Sequence, residues 1–151
     1  MRILSLAILV TALFIGSTSY GQITCDSIAG VTSSYLNTQR DKQLKRVFIS
    51  DGQVYRAFLD EDQSAEFEAT FFGGSTYRIA ASAGVADNYL IFEVYDHERN
   101  LLFTNFDHGN APYWDFKVES TIDCYIEARL DMNKKLSGCA TMMIGFQKKR
   151  D

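Results

Sequence analysis

Residues 64–82, SAEFEATFFGGSTYRIAAS, carry the clearest structural pattern in the chain. Their first half alternates Ala or Phe with Glu or Thr, which is typical of a strand with one buried face and one face in water. Gly73 and Gly74 follow, and two glycines permit the positive φ angles of a tight turn. The stretch therefore predicts an antiparallel hairpin of two strands, residues 65–72 and 76–82, with Phe67 and Phe71 turned to the core.

The same alternation with a period of two recurs on both sides of this hairpin. Polar turns separate the apolar runs at spacings of roughly ten residues, and no long helix is indicated after Asp51. Further strands are predicted at residues 53–59, 89–95, 101–105, 114–118, 122–130 and 138–146. About eight strands at this spacing indicate an all-β fold, either an antiparallel sandwich or a barrel.

The N-terminal segment differs in composition from the rest. A positive start, an apolar run at residues 3–16 and a short, mostly polar end form the layout of a secretory signal peptide. The apolar run is shorter than the ~20 residues that a membrane span needs. We therefore predict a signal peptide at residues 1–21, a short helical or irregular arm at residues 22–49 and the β domain at residues 50–148. After cleavage no membrane span is expected, and the protein is exported to the periplasm or the extracellular space.

Composition and charge narrow the classes of partner. The 151 residues are 46% hydrophobic and 23% charged, which suits one globular domain with a buried core. The formal net charge of −4 gives no general attraction to phosphate backbones. A nucleic-acid partner is therefore not expected.

Three cysteines would remain in the mature chain, Cys25, Cys124 and Cys139. An oxidising compartment allows pairing, and an odd count leaves at least one thiol free or paired outside the chain. Cys124 and Cys139 lie in the last two predicted strands, where neighbours across a hairpin would be close enough for a disulfide. A Cys124–Cys139 bridge is one prediction, and the alternative is that both are small core residues.

Four short motifs, at residues 51–55, 72–79, 113–116 and 144–146, mark turns and core aromatics. They resemble those of small exported β-sandwich proteins of Gram-negative bacteria that are distantly like bacterial pre-peptidase C-terminal domains. The similarity spans residues 50–146. The resemblance implies a single antiparallel, jelly-roll-like β-sandwich with a non-catalytic accessory or binding role.

Two Asp-His pairs are candidate ligands for a metal site. Asp96 and His97 lie in one predicted turn, and Asp107 and His108 lie in another. Carboxylate and imidazole groups are ordinary ligands of divalent metals, so convergence of the two turns would create a site. The alternative is two unrelated polar turns, because no third ligand is fixed by spacing. No catalytic residue and no cofactor is predicted.

Aromatic residues suggest a different kind of site. Tyr113 and Trp114 adjoin a predicted loop, while Tyr89 and Tyr95 lie on the polar phase of their strand. Together these four rings would form a stacking platform for a glycan or a peptide. The alternative is packing within the sandwich, with Trp114 mostly buried against the facing sheet.

The sequence therefore favours an exported, non-enzymatic binding or structural module of the bacterial envelope, with a glycan or a protein as its unknown partner. One alternative is a small metal-dependent hydrolase that uses the two Asp-His pairs. A further alternative is an inhibitor or immunity-type partner of another exported protein, with which the acidic charge is compatible.

Overall fold

The computed structural model describes residues 24–38, 47–84 and 88–148. The predicted signal peptide lies outside these residues. Within them the chain forms one α-helix, nine strands and one short 3-10 helix, at residues 106–108. These elements are α1 (Cys25–Leu36), β1 (Ile49–Ser50), β2 (Tyr55–Leu59), β3 (Ser64–Phe71), β4 (Ser75–Ser82), β5 (Leu90–Asp96), β6 (Leu101–Thr104), β7 (Tyr113–Val118), β8 (Ile122–Leu130) and β9 (Gly138–Lys148).

The strands form two antiparallel sheets, which confirms the predicted all-β sandwich. Sheet I has β9 between β4 and the pair β1 and β2, with β7 on the far side of β4. Sheet II has the order β3-β8-β5-β6. The pairings β2 with β9, β3 with β8, β4 with β7 and β5 with β6 are nested. One long hairpin, rolled up around its own core, gives this nesting, which is the arrangement of a jelly roll.

The predicted hairpin of residues 64–82 is wrong in its pairing, although both of its strands exist. β3 pairs with β8 in sheet II, while β4 pairs with β7 and β9 in sheet I. The two glycines between them lie where the chain crosses from sheet II to sheet I. A Cβ on Gly73 would lie 2.7 Å from the backbone oxygen of Glu119, and Gly74 has φ 83°. Alternation predicted the strands correctly because an inward side chain meets the core whichever strand lies beside it.

The core lies between the sheets and is built from the inward phase of their strands. Phe92 and Ile126 of sheet II face Ile79 and Ile144 of sheet I, and all four are buried. Removing each large apolar side chain from water stabilises the fold by ~1.5 to 3 kcal/mol. The core therefore holds the two sheets face to face.

Helix α1 covers the outer face of sheet I, which settles the predicted arm as helical at residues 25–36. Thr24 caps the helix, because its side chain accepts a hydrogen bond from the backbone N–H of Ser27. Ile28, Thr32 and Leu36 lie on its buried face. Thr32 contacts Thr141 of β9 through a hydrogen bond of 2.5 Å between the two hydroxyls.

Arg78 of β4 fixes the end of this helix to the sheet. Its guanidinium pairs with both carboxylate oxygens of Asp115, at 2.6 and 2.9 Å, and is almost completely buried. The rings of Phe48 and Tyr113 lie 4.2 and 4.5 Å from its central carbon. The same guanidinium donates to carbonyls at the C-terminal end of α1, those of Tyr35, Leu36 and Thr38. It therefore satisfies groups that a helix end leaves without partners.

The disulfide joins Cys25 to Cys139, with the Cα atoms 5.5 Å apart, and the predicted Cys124–Cys139 bridge is wrong. Cys139 lies opposite Phe58 in register and shares its face, the outer face of sheet I, where α1 begins. Cys124 lies on β8 in sheet II, faces the core and is a free, buried thiol. The two cysteines of the predicted bridge are therefore in different sheets, and β8 and β9 are not neighbours.

Candidate binding cleft at the open edge of the sandwich

A cleft of 140 Å³ opens between the sheets at the side where β2 and β3 lie, which we call the open edge. Both strands are edge strands, β2 of sheet I and β3 of sheet II. The chain passes from one to the other through a turn at residues 60–63. Nine inward side chains line the cleft, those of Tyr55, Ala57, Leu59, Ala65, Phe67, Leu90, Ala128, Ala140 and Met142.

Small side chains explain why the cleft exists. Ala57 lies directly opposite Ala140 in sheet I, and Ala65 lies directly opposite Ala128 in sheet II. All four are on the inward phase of their strands, and they lie together at this side of the sandwich. Two facing pairs of alanines leave a volume that no neighbouring side chain occupies.

An aromatic pair and the turn frame the mouth of the cleft. The rings of Tyr55 and Phe67 are stacked across the gap, with centroids 4.0 Å apart and planes 12° apart. On the other side the turn closes through Asp60 and Gln63. The backbone N–H of Gln63 donates to the Asp60 carbonyl, and the Gln63 side-chain oxygen accepts from the Asp60 N–H, both at 3.1 Å. Access is therefore lateral, between the alanines of β2 and β3.

Tyr55 presents a neutral phenol at this mouth. Burial raises its pKa, and the nearby Asp51 carboxylate raises it further through its charge and through a hydrogen bond of 3.4 Å from the phenol. The phenol hydroxyl therefore stays protonated, so the ring that stacks on Phe67 carries no charge.

The strand edges beside the cleft have no described partner strand. Among the described residues, β2 pairs only with β9, and β3 pairs only with β8. In an antiparallel edge strand, alternate residues direct both N–H and C=O away from the sheet. Such a row of backbone groups is a template for another extended chain.

Charged side chains on β3 make its outer face acidic. Glu66 pairs with Arg99, whose hydrogen bonds lower the pKa of that carboxyl group. Glu127 lies opposite Glu66 in register, and Glu93 lies opposite Glu127, so three carboxylates form a row across sheet II, with Glu93 paired to Arg129 at 3.7 Å. Glu68, exposed on the same phase of β3, has no ion pair among the residues that the structure describes.

The other side of the sandwich, where β6 and β7 lie, is filled by rings, and we call it the filled edge. Phe103 of β6 contacts Trp114 and Phe116 of β7, with ring centroids 5.2 and 4.9 Å apart. His108 is stacked on Trp114 at 4.1 Å. Trp114 points between the sheets as alternation predicts, but it is only partly buried because β7 is an edge strand.

The four rings predicted as a platform do not converge. Trp114 lies at the filled edge, whereas Tyr113 lies under α1 and is stacked on Tyr35 at 6.4 Å. Tyr89 precedes β5, with the Lys135 ammonium 5.7 Å from its ring centroid. Tyr95 lies on the outer face of sheet II.

The Tyr95 hydroxyl is already engaged. It donates to Glu93 at 2.8 Å, and this hydrogen bond, together with burial, raises the pKa of Tyr95 to about 12. The phenol proton therefore takes part in a hydrogen bond within sheet II.

The two Asp-His pairs do not converge either. Asp96 and His97 lie before β6, and Asp107 and His108 lie after it, so the strand separates them. Asp96 closes the β5–β6 turn by accepting from the N–H groups of Glu98 and Asn100. In the described ranges no group of three or more His, Cys, Asp or Glu residues is placed to hold a metal ion.

The sequence does not predict the cleft. Ala57 and Ala65 belong to predicted strands, but nothing in the sequence places Ala140 opposite Ala57 or Ala128 opposite Ala65. The signal that exists is small residues on the inward phase of two consecutive predicted strands.

The fold defines the protein as a two-sheet antiparallel jelly roll with a helix on one face. No protein-family model matches the chain, and no curated protein sequence matches it. Among solved structures the chain is similar to the crystal structure of Aeromonas hydrophila PliG, described as a periplasmic lysozyme inhibitor of g-type lysozyme. The TM-score is 0.49 at 10% sequence identity, over 63% of this chain and 85% of that chain. None of the described helices has the length and apolar character needed to cross a membrane.

Proposed function

We propose that this protein is an exported, non-enzymatic binding module that holds an apolar side chain of a protein partner in the cleft at the open edge. The observation that carries the proposal is an open, alanine-walled cleft of 140 Å³ between two strand edges. An inhibitor or immunity-type protein is one form of such a module, and the accessory role implied by the pre-peptidase C-terminal resemblance is another.

The size and walls of the cleft favour a side chain over a sugar. An apolar cavity of about 150 Å³ admits a benzene ring, so 140 Å³ suits one Leu or Phe side chain. A sugar ring carries hydroxyls on most of its carbons, and burying them against alanine and leucine without partners is costly. A glycan would need the aromatic platform that the four predicted rings do not form.

Export is supported by the disulfide between Cys25 and Cys139. Disulfides persist in oxidising compartments and are rare in the cytosol. This agrees with the secretory signal predicted at residues 1–21. The metal-dependent hydrolase is not proposed, because β6 separates the two Asp-His pairs that it requires.

The test is a library of random peptides displayed on phage and selected on the exported, disulfide-bonded protein. We expect selected peptides to share a Leu or Phe and to lose at least about tenfold in affinity, ~1.4 kcal/mol, for the Ala65→Phe variant, whose ring fills the cleft. Lys117→Phe, which adds the same ring at an exposed position on β7, is the matched control and should bind like the wild type. Peptides that bind Ala65→Phe as tightly as the wild type would refute the cleft as the binding site.

A further inference from the structure

The long outer edge of β3 is the feature that specifies the partner further. It spans eight residues, Ser64–Phe71, and its described pairing is with β8 on the inner side alone. By the antiparallel pattern, about four of these residues direct N–H and C=O groups outward. The edge of β2 is shorter, at five residues, and so offers fewer such groups.

The cleft lies directly beside this edge. Ala65 and Phe67 belong to β3 and line the cleft. Side chains of an added strand would alternate with the same period of two, so one phase would face the gap between the sheets. The stacked rings of Tyr55 and Phe67 limit the space on one side, which leaves room for one apolar side chain at the level of Ala65.

The other phase of an added strand would meet the acidic outer face of sheet II. Glu66 and Glu68 both project there from β3, and Glu68 has no ion pair among the described residues. Opposite charges on directly opposed residues stabilise a strand pair, and like charges destabilise it. Lysine or arginine on the partner is therefore favoured. A second copy of the chain that offered its own β3 would oppose glutamate to glutamate and is disfavoured.

We infer that β3 accepts an extended segment of a partner protein as an added strand, with alternating basic and apolar residues and one apolar side chain seated in the cleft. The inference rests on the proposed function, because it uses the same cleft. Under this inference, backbone hydrogen bonds between β3 and the partner provide most of the affinity, and the charge pattern provides the selectivity.

The test uses a synthetic peptide that alternates Lys with Thr and carries one central Leu in the Thr phase. Its control has the same composition, with the Leu exchanged for a neighbouring Lys, so that the Leu falls on the outer phase. We expect saturable binding of the first peptide by titration calorimetry, and at least about tenfold weaker binding of the control, because the wrong phase puts an ammonium group into the cleft. Equal binding of the two peptides would overturn the inference.

Two further variations separate backbone and charge contributions. Methylation of the peptide nitrogens on the pairing side should weaken binding by about tenfold or more, since each removes a backbone donor, whereas methylation on the outward side should not. Glu68→Lys should weaken binding by about three- to tenfold through like-charge opposition, and Glu119→Lys, an exposed change in the β7–β8 turn, should not.

Amide hydrogen exchange gives a readout on the protein itself. Alternate N–H groups of β3 should exchange more slowly when the peptide is bound, while those of β7 should not change. Loss of binding in Ala65→Phe without any effect of N-methylation or of β3 protection would keep the cleft as a binding site and refute strand addition. Binding that Ala65→Phe leaves intact would refute the proposed function as well.

Discussion

The open edge and the filled edge each consist of one edge strand from each sheet, but side chains fill the space between the sheets only at the filled edge. At the filled edge, Phe103 and Trp114 meet between β6 and β7, with His108 stacked on the indole. At the open edge, Tyr55 and Phe67 meet between β2 and β3, but the next inward positions are alanines and a cleft of 140 Å³ remains. The sheets are not joined by strand pairing at either side, so the side chains that lie there decide which edge is filled.

This difference separates a structural role from a binding role. Rings that meet across the filled edge bury apolar area permanently and belong to the stability of the fold. The open edge leaves apolar walls accessible beside strand edges that have no partner strand in the described part of the chain, which costs stability unless a partner covers them.

The largest effect is expected from removing the disulfide. Cys25→Ser combined with Cys139→Ser should lower the free energy of unfolding by about 4 kcal/mol, because the cross-link closes a loop with a sequence separation of 114 residues. Cys139 lies opposite Phe58 of β2, so the amides of β2 should exchange faster than those of β7. Chemical denaturation and hydrogen exchange measure both effects.

Cys124→Ala is the control for this experiment. It removes the free buried sulfur without removing a cross-link, so it should cost about 1 kcal/mol and leave β2 as protected as before. A double serine variant with the stability of the wild type would show that the disulfide does not hold the open edge.

The next largest effect is the loss of stability when an aromatic ring is removed at each of the two edges. Trp114→Ala should destabilise the protein by about 3 kcal/mol, because it removes the ring that contacts both Phe103 and His108. Tyr55→Ala should cost about half as much, since its ring already borders empty space. Urea denaturation gives both values, and an equal cost would abolish the distinction between a filled and an open edge.

A smaller effect of opposite sign is expected from filling the cleft. Ala65→Leu should raise the free energy of unfolding by about 1 kcal/mol, because the added atoms occupy existing space. Ala80→Leu, beneath α1 at a fully buried position, should lower it by about 1 to 3 kcal/mol through overpacking. Destabilisation by both variants would mean that the cleft cannot accommodate a leucine side chain.

The smallest effect concerns pH and the loop that leads to the filled edge. Burial raises the pKa of Asp131, but the hydrogen bond from Asn110, at 2.7 Å, and those from Asn133, with the charge of Lys134, hold it below its usual value. The ionised carboxylate therefore stabilises the fold above the unfolded pKa of about 3.9, and this stabilisation is lost as pH falls through the folded pKa.

Asp131→Asn removes this group from the titration. The advantage of the wild type over the variant in free energy of unfolding should be constant above about pH 5 and shrink below about pH 4. Urea midpoints measured across this range provide the comparison. An advantage that stays constant into acid would remove Asp131 from the set of stabilising carboxylates.

The sequence by itself determined most of the strands and which of their residues face the core between the sheets. Alternation along residues 64–82 and 122–130 predicted β3, β4 and β8 within one or two residues, because each inward side chain must be apolar whichever strand lies beside it. It also placed Trp114 on the inward phase. Strand formation and the inward phase depend on side chains at neighbouring positions in the chain, so the sequence alone can predict them.

Only the tertiary structure decided which strands pair and therefore where the site lies. The Gly73–Gly74 turn fits a hairpin and a crossing between sheets equally well in sequence, and the pairing of β3 with β8 and of β4 with β7 distinguishes them. Cys25 forms a disulfide with Cys139 because α1 lies on the outer face of sheet I, where Cys139 also lies. The cleft depends on Ala57 and Ala65 being opposite alanines far along the chain, and such long-range register is set by the packing of the whole sandwich.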